Sequence, residues 1–207
     1  NRKLSDASLA ANTYNTANVI TTTIAYTAGT DVTVYEADLG ATVIAVGGTV
    51  TPPTSGGSVT VALAADTPAG MTVPMNTNSV QLARFTLTAG AAAARVTGVK
   101  LHRFGVGAAG NFSNVYLYNA DGVRLTSGRT VNSTTNLVEY NGLAIDIAAN
   151  GTYTLVVQGD FAASSSGGQH AFELVDMAAL TVANSGTAGG SFPVRGNVFT
   201  VGNASAA

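Results

Sequence analysis

Hydrophobic and polar residues alternate one by one along most of this chain. In SVTVALAA (58–65), Val59, Val61, Leu63 and Ala65 fall on one side, with Thr60, Ala62 and Ala64 on the other. In SVQLARFTLT (79–88), Phe85 and Leu87 oppose Arg84, Thr86 and Thr88. Leu143, Ile145 and Ile147 oppose Ala144 and Asp146, and in GTYTLVVQG (151–159) Tyr153, Leu155 and Val157 oppose Thr152, Thr154 and Val156. A period of two places one set of side chains on a core and the other in solvent, the pattern of antiparallel sheets. Helical signals are confined to LAAN (9–12) and GAAAA (90–94), too short to stand alone. Asp121-Gly122, between VYLYNA and VRLTSG, predicts a type I′ hairpin, and Asn141-Gly142 and Asn150-Gly151 predict two further turns. Strands recurring between such turns predict an all-β fold: an antiparallel β-sandwich, Ig-like or jelly-roll, with a strand-rich N-terminal extension.

The segment GGTVTPPTSGG (47–57) interrupts the pattern, because paired prolines cannot continue a central strand. It predicts an extension over 1–50, a Pro/Gly linker over 51–57 and a sandwich over 58–207. The extension contains NVITTTIAY (18–26), DVTVYE (31–36) and ATVIAV (41–46). So few large apolar residues make a poor core alone. The extension is therefore expected to pack on another surface, of its own chain or of a neighbouring subunit. In the second case residues 8–26 are the donated strand, led by Val19, Ile20, Thr22, Ile24 and Tyr26.

Composition sharpens this picture. Only 10% of the 207 residues are charged, against about 25% in an ordinary soluble domain. Hydrophobic residues reach 46%, enough for a core, so the polar surface must be mostly Thr, Ser, Asn and Gly. Such a surface points to an extracellular, cell-surface location. A net charge of -2 with no basic run argues against nucleic acid and anionic membrane as partners. No apolar run approaches the ~20 residues of a membrane span. The absence of cysteine leaves packing and backbone pairing to hold the fold. The chain begins at Asn1, which fits either a removed secretion signal or a boundary within a longer polypeptide.

Candidate chemistry is sparse. Gly105, Gly107 and Gly110 spell GxGxxG, but the strand-like NFSNVYLYN follows where a dinucleotide site needs a helix, so a loop between strands is expected. His102 and His170 are expected at the surface. His170 and Glu173 differ by an odd number and fall on opposite sheet faces, so one strand cannot pair them as acid and base. No nucleophile elbow is present, and the expectation is a protein that is not an enzyme. No cofactor is expected beyond calcium, whose weak candidate ligands are Asp121, Asp160 and Asp176. Asn111, Asn132, Asn150 and Asn203 head glycosylation sequons. Tyr116 and Tyr118 share a strand face opposite Val115 and Leu117, where they can stack on a glycan or be covered by an interface.

Three stretches carry a resemblance: SVTVALAADTPAGMTVPMNTNSVQLARFTLTAG, GNFSNVYLYNADGVRL and GTYTLVVQGDF. With Pro74, Val80, Phe85, Leu87 and Ala89 at the matching positions, residues 58–201 resemble β-sandwich modules of prokaryotic cell-surface proteins, namely S-layer-like proteins and extracellular filament subunits. The resemblance implies a structural role and supplies no catalytic residues. Together these readings give the expected function: a subunit of an extracellular filament or surface layer that polymerises with itself by donor-strand addition. The alternative is a carbohydrate-binding or adhesion module of a larger surface protein, with a glycan as partner.

Overall fold

A computed structural model describes residues 56–163 and 167–202 in full. Of the chain ahead of them it describes only the backbone of β1 (Arg2–Leu4), β2 (Thr22–Ile24), β3 (Thr33–Glu36) and β4 (Thr42–Ala45). The chain divides into two compact units, Asn1–Thr51 and Pro52–Ala207. In the first unit β1 runs parallel to β2, with Arg2 opposite Thr22, and β3 pairs antiparallel with β4.

Among its described residues the second unit forms strands, two single 3-10 turns and the loops between them, with no α-helix. Its strands are β5 (Ser58–Leu63), β6 (Thr72–Pro74), β7 (Val80–Ala89), β8 (Ala94–Phe104), β9 (Phe112–Tyr118) and β10 (Leu137–Ile147). They continue with β11 (Thr152–Phe161), β12 (Gly168–Leu174), β13 (Leu180–Val182), β14 (Thr187–Gly190), β15 (Val194–Arg195) and β16 (Phe199–Gly202). One sheet has the order β14-β5-β7-β11-β9; the other runs β10-β8-β12-β16-β6, with β13 on β8 and β15 on β12. The expected all-β sandwich is what the chain forms. Most pairs are antiparallel, but β14 lies parallel to β5 and β6 parallel to β16.

The period-two pattern does the packing. Val59, Phe85, Leu87, Val115, Leu117, Leu155 and Val157 of the five-stranded sheet are fully buried with Leu101, Phe172, Leu174 and Phe199 of the other sheet. Burial contributes about 1.5–3 kcal/mol for each such side chain. Val156 points away from this core and is nevertheless buried, because Arg84 and Tyr118 are its cross-strand neighbours.

Two of the three predicted turns come out differently. At 119–123 only Gly122 has a positive φ (78), and its N–H donates to Asn119 O at 3.2 Å. Type I′ needs positive φ at both central residues; one ordinary turn closed by a left-handed glycine is the three-residue alternative. Asn141-Gly142 is no turn. It lies inside β10 as a bulge, with Gly142 at φ 73 and a register shift between Asn141 and Ile145. Asn150-Gly151 does turn the chain from β10 into β11, with Asn150 at φ 57.

The two sheets treat their edges differently. The edge of β9 is covered by its own continuation: Leu125 N–H donates to Leu117 O, and Val115 and Arg129 exchange two hydrogen bonds. The other end of this sheet, β14, and both ends of the seven-stranded sheet, β10 and β6, are not paired further among the described residues.

Candidate functional site

Where β9 and β10 close the two sheets, a seam opens. The connection between these strands runs along it and leaves a groove of about 630 Å³, lined by Asn114, Gly128, Arg129, Thr130, Asn132, Thr135, Leu137 and Glu139. The connection is held in place from both sides. Asn132 Oδ1 accepts from the N–H groups of Thr134 and Thr135 at 2.9 and 3.0 Å. Arg103 clamps Asn136 Oδ1 through Nε and Nη2 at 3.1 and 2.6 Å. Gly128 admits no side chain, since a Cβ there would lie 2.6 Å from Asn114 Oδ1 and 2.8 Å from Tyr116 Cε1. Tyr140 floors the seam: its hydroxyl donates to Val115 O at 2.6 Å, and the Arg129 guanidinium stands 6.0 Å from its ring centre.

Tyr116 and Tyr118 share the outer face of β9 as expected, in an edge-on pair with ring centres 6.3 Å apart. Tyr116 does not form an open platform. Arg124 lies over the Tyr116 ring at 5.7 Å, and the Tyr116 hydroxyl donates to Asp160 Oδ2 at 2.9 Å. That bond, with some burial, raises the phenol's pKa.

His170 corrects the expectation of two surface histidines: it is 0% exposed. It points inward from β12 because it lies two residues before Phe172 on the core face. Its Nδ1 lies 3.2 Å from Arg103 Nη1 and its Nε2 3.0 Å from Asn111 Nδ2. Phe112 meets the ring edge-on at 5.0 Å. Both polar neighbours are N–H donors, so an imidazolium, with N–H on both sides, has no acceptor here. Burial, and then the charge of Arg103, pull the His170 pKa down to about 4. The GxGxxG stretch serves this site. Gly107 packs directly on the imidazole, while Gly105 turns at φ 110 against Gln169 O.

Glu173 does lie on the opposite face of β12 from His170. It is nearly buried on the outer side of the sheet, accepting from Arg195 Nε at 2.6 Å and meeting His102 Nδ1 at 2.8 Å. The sequence reading missed this pairing, which joins β8, β12 and β15 across three strands.

The calcium candidates do not come together. Asp160 accepts from Ser79 N–H and Tyr116, Asp176 caps the turn at Met177–Ala179 through Ala178 N–H, and Asp121 accepts from Asn119 Nδ2. Each carboxylate has its own partners, and no group of three or more His, Asp or Glu among the described residues is placed to hold a metal ion. Of the sequons, Asn111 is buried and its amide donates to Gly167 O at 2.6 Å, which corrects it as an acceptor. Asn132 and Asn150 are exposed, and Asn203 lies outside the described residues. If the protein is expressed in a glycosylating host, site mapping by mass spectrometry should find glycan at Asn132 or Asn150 and none at Asn111. Of the donor-strand residues, Thr22 and Ile24 lie in β2; Val19, Ile20 and Tyr26 fall outside the described residues.

No protein-family model matches the chain, and no curated protein matches it. Six solved chains match. One is a family 123 glycoside hydrolase from Clostridium perfringens, described for its hydrolysis of glycolipid glycans. The match has a TM-score of 0.35 and 9% identity and covers 70% of this chain, which spans only 27% of that protein's length. Because the match is to an enzyme, the expectation that the protein is not one is withdrawn. At this level of likeness no activity passes from one protein to the other.

Proposed function

We propose that this protein is a structural subunit of an extracellular filament or surface layer, joined to its neighbours by β-strand addition. The observation that carries the reading is an unpaired sheet edge flanked by exposed apolar side chains. Beside β6, Met71 and Val198 are 56% and 42% exposed, and Thr200 N–H bonds Met71 O, so the two segments adjoin. Of the other sheet ends, β10 is blunted by its bulge, a common protection against pairing, and β14, with the sequence TAGG, offers no large apolar side chain. No lysine guards β6.

The donated strand is the Thr-rich stretch of another subunit's first unit, with Val19, Ile20, Thr22, Ile24 and Tyr26 within it. In β2 the backbone of Thr22–Ile24 pairs with Arg2–Leu4 along one edge. Its other edge has no partner among the described residues, and apolar residues of the strand would cover Met71 and Val198. A head-to-tail contact of this kind does not close on itself and generates an open polymer.

Electron microscopy with size-exclusion chromatography tests this. The full chain should form regular fibres or sheets. A chain lacking residues 1–26 should remain a folded monomer, since the sandwich core lies wholly in Pro52–Ala207. Polymers of unchanged form from the trimmed chain would exclude strand donation. A second reading, a carbohydrate-binding or adhesion module of a larger surface protein, is favoured by the polar seam groove and expects a monomer with saturable glycan affinity.

A further inference from the structure

We propose that the seam groove between β9 and β10 binds an acidic saccharide, with Arg129 taking the sugar's carboxylate. This sharpens the second reading and does not depend on polymerisation. Four observations carry it. The lining is almost wholly polar, with two amides, two threonine hydroxyls, a guanidinium and a carboxylate against a single leucine. Such a surface suits a hydroxyl-rich ligand and does not suit an apolar strand or acyl chain.

Secondly, the groove has an uncommitted cation. Every carboxylate in an ion pair among the described residues is engaged elsewhere: Asp66 by Arg84, Asp146 by Arg95, Glu139 by Lys100, and Glu173 by His102 and Arg195. Arg129 has none of them, although Glu139 lines the same groove, and its guanidinium stands 6.0 Å from the Tyr140 ring centre. Its guanidinium is planar, always charged and carries its donors in a rigid fork. The ligand that such a fork matches is a carboxylate, bound by two parallel hydrogen bonds.

Thirdly, the walls are pre-ordered. Asn132 spends its carbonyl oxygen on the loop and turns no acceptor to the ligand, leaving its amide N–H groups as donors. Arg103 and Asn136 lock the loop's far end to β8. Binding to such a site has little ordering cost. Finally, Gly128 keeps the Asn114 amide uncovered, since any side chain there would overlie it. One cation and no glycine cradle among the lining residues argue against a polyphosphate.

Titration of the full chain by isothermal calorimetry and by amide chemical shifts tests the proposal. The probes are trigalacturonate, the matching neutral galactose trimer and a short polyglutamate. Trigalacturonate should bind at one site, shift the amides of 128–139, and bind at least about tenfold more tightly than the neutral sugar. Arg129→Gln should remove that difference, while Arg124→Gln, on the outer face over Tyr116, should leave it intact. Glu139→Gln should tighten binding by removing a like charge. Thermal melts of each variant confirm that it is folded, which is expected because all three side chains are exposed. Equal affinity for the neutral trimer, equal affinity for polyglutamate, indifference to Arg129→Gln, or no saturable binding would each overturn the proposal.

Discussion

Lowering the pH from 7 to 4 should cost the sandwich about 3 kcal/mol through His170 alone. In the unfolded chain this imidazole titrates near its ordinary value of 6.5; in the fold, burial and the neighbouring Arg103 hold it down to about 4. Between those values the unfolded chain binds a proton that the folded chain refuses. Stability from the neutral ring is therefore complete above pH 6.5, falls as the pH drops, and levels off below about 4. The charged groups near the ring are few. Arg103 reaches it from β8, Asn111 approaches from the 3-10 turn before β9, and Phe112 and Phe161 close the remaining sides. No carboxylate stands among these neighbours to welcome an imidazolium. Aspartates and glutamates also titrate toward pH 4, so the comparison must be with a variant. Urea unfolding of wild type and His170→Gln at pH 7, 5 and 4 separates the two contributions. The wild type should lose about 3 kcal/mol more than the variant across that range. Parallel losses in both would mean that the ring titrates normally and that its burial has no energetic consequence.

This buried ring also marks where the sequence stopped being legible. The alternation of 58–65, 79–88, 142–147 and 151–159 located four strands and their inward faces, because period two is a local property of the backbone. The same rule, applied to β12, correctly separates His170 from Glu173. It also puts His170 on the side of Phe172 and Leu174, which the surface expectation passed over; what it cannot say is which partners the buried polar groups find. The answer depended on β8 and β15, whose Arg103, His102 and Arg195 come from up to 71 residues away. Asn-Gly and Asp-Gly signals fared similarly. They locate left-handed backbone reliably, as Gly122, Gly142 and Asn150 show. Whether that backbone makes a hairpin or a bulge is set by the register of the partner strand. The seam groove was invisible for a further reason. Its lining combines one residue of β9, five of a loop and two of β10, and only sheet closure brings them together. The covered edge of β9 was legible in outline, since the hairpin expected at Asp121-Gly122 already folds VRLTSG back on VYLYNA; the structure keeps that pairing through Leu125 and Arg129 and changes the turn.

The glycines of 105–110 give the sharpest test of that distinction between motif and packing. If GxGxxG were a phosphate cradle, its glycines would matter alike; as packing residues they should differ widely. Gly107→Ala should destabilise the fold by about 3 kcal/mol, the upper range for an overpacked core. A Cβ at 107 would overlap Cε1 and Nε2 of His170. That ring cannot step aside, because Phe112 stands edge-on at 5.0 Å and Arg103 and Asn111 flank its nitrogens. Gly110→Ala, three residues on, should stay within about 0.5 kcal/mol of wild type. A Cβ there meets nothing within 4 Å, and its backbone is not left-handed. The clash at 107 is with one named side chain, so it should also be relieved by trimming that side chain. In the cycle of Gly107→Ala with His170→Ala, the double variant should be more stable than the sum of the two single losses by 1 kcal/mol or more, about the coupling of residues in contact. Chemical denaturation of the four proteins at pH 7, with the His170 ring neutral, measures it. Additive losses would place the strain of Gly107→Ala in the backbone of the loop, and equal losses at 107 and 110 would mean that the packing against His170 does not set the cost.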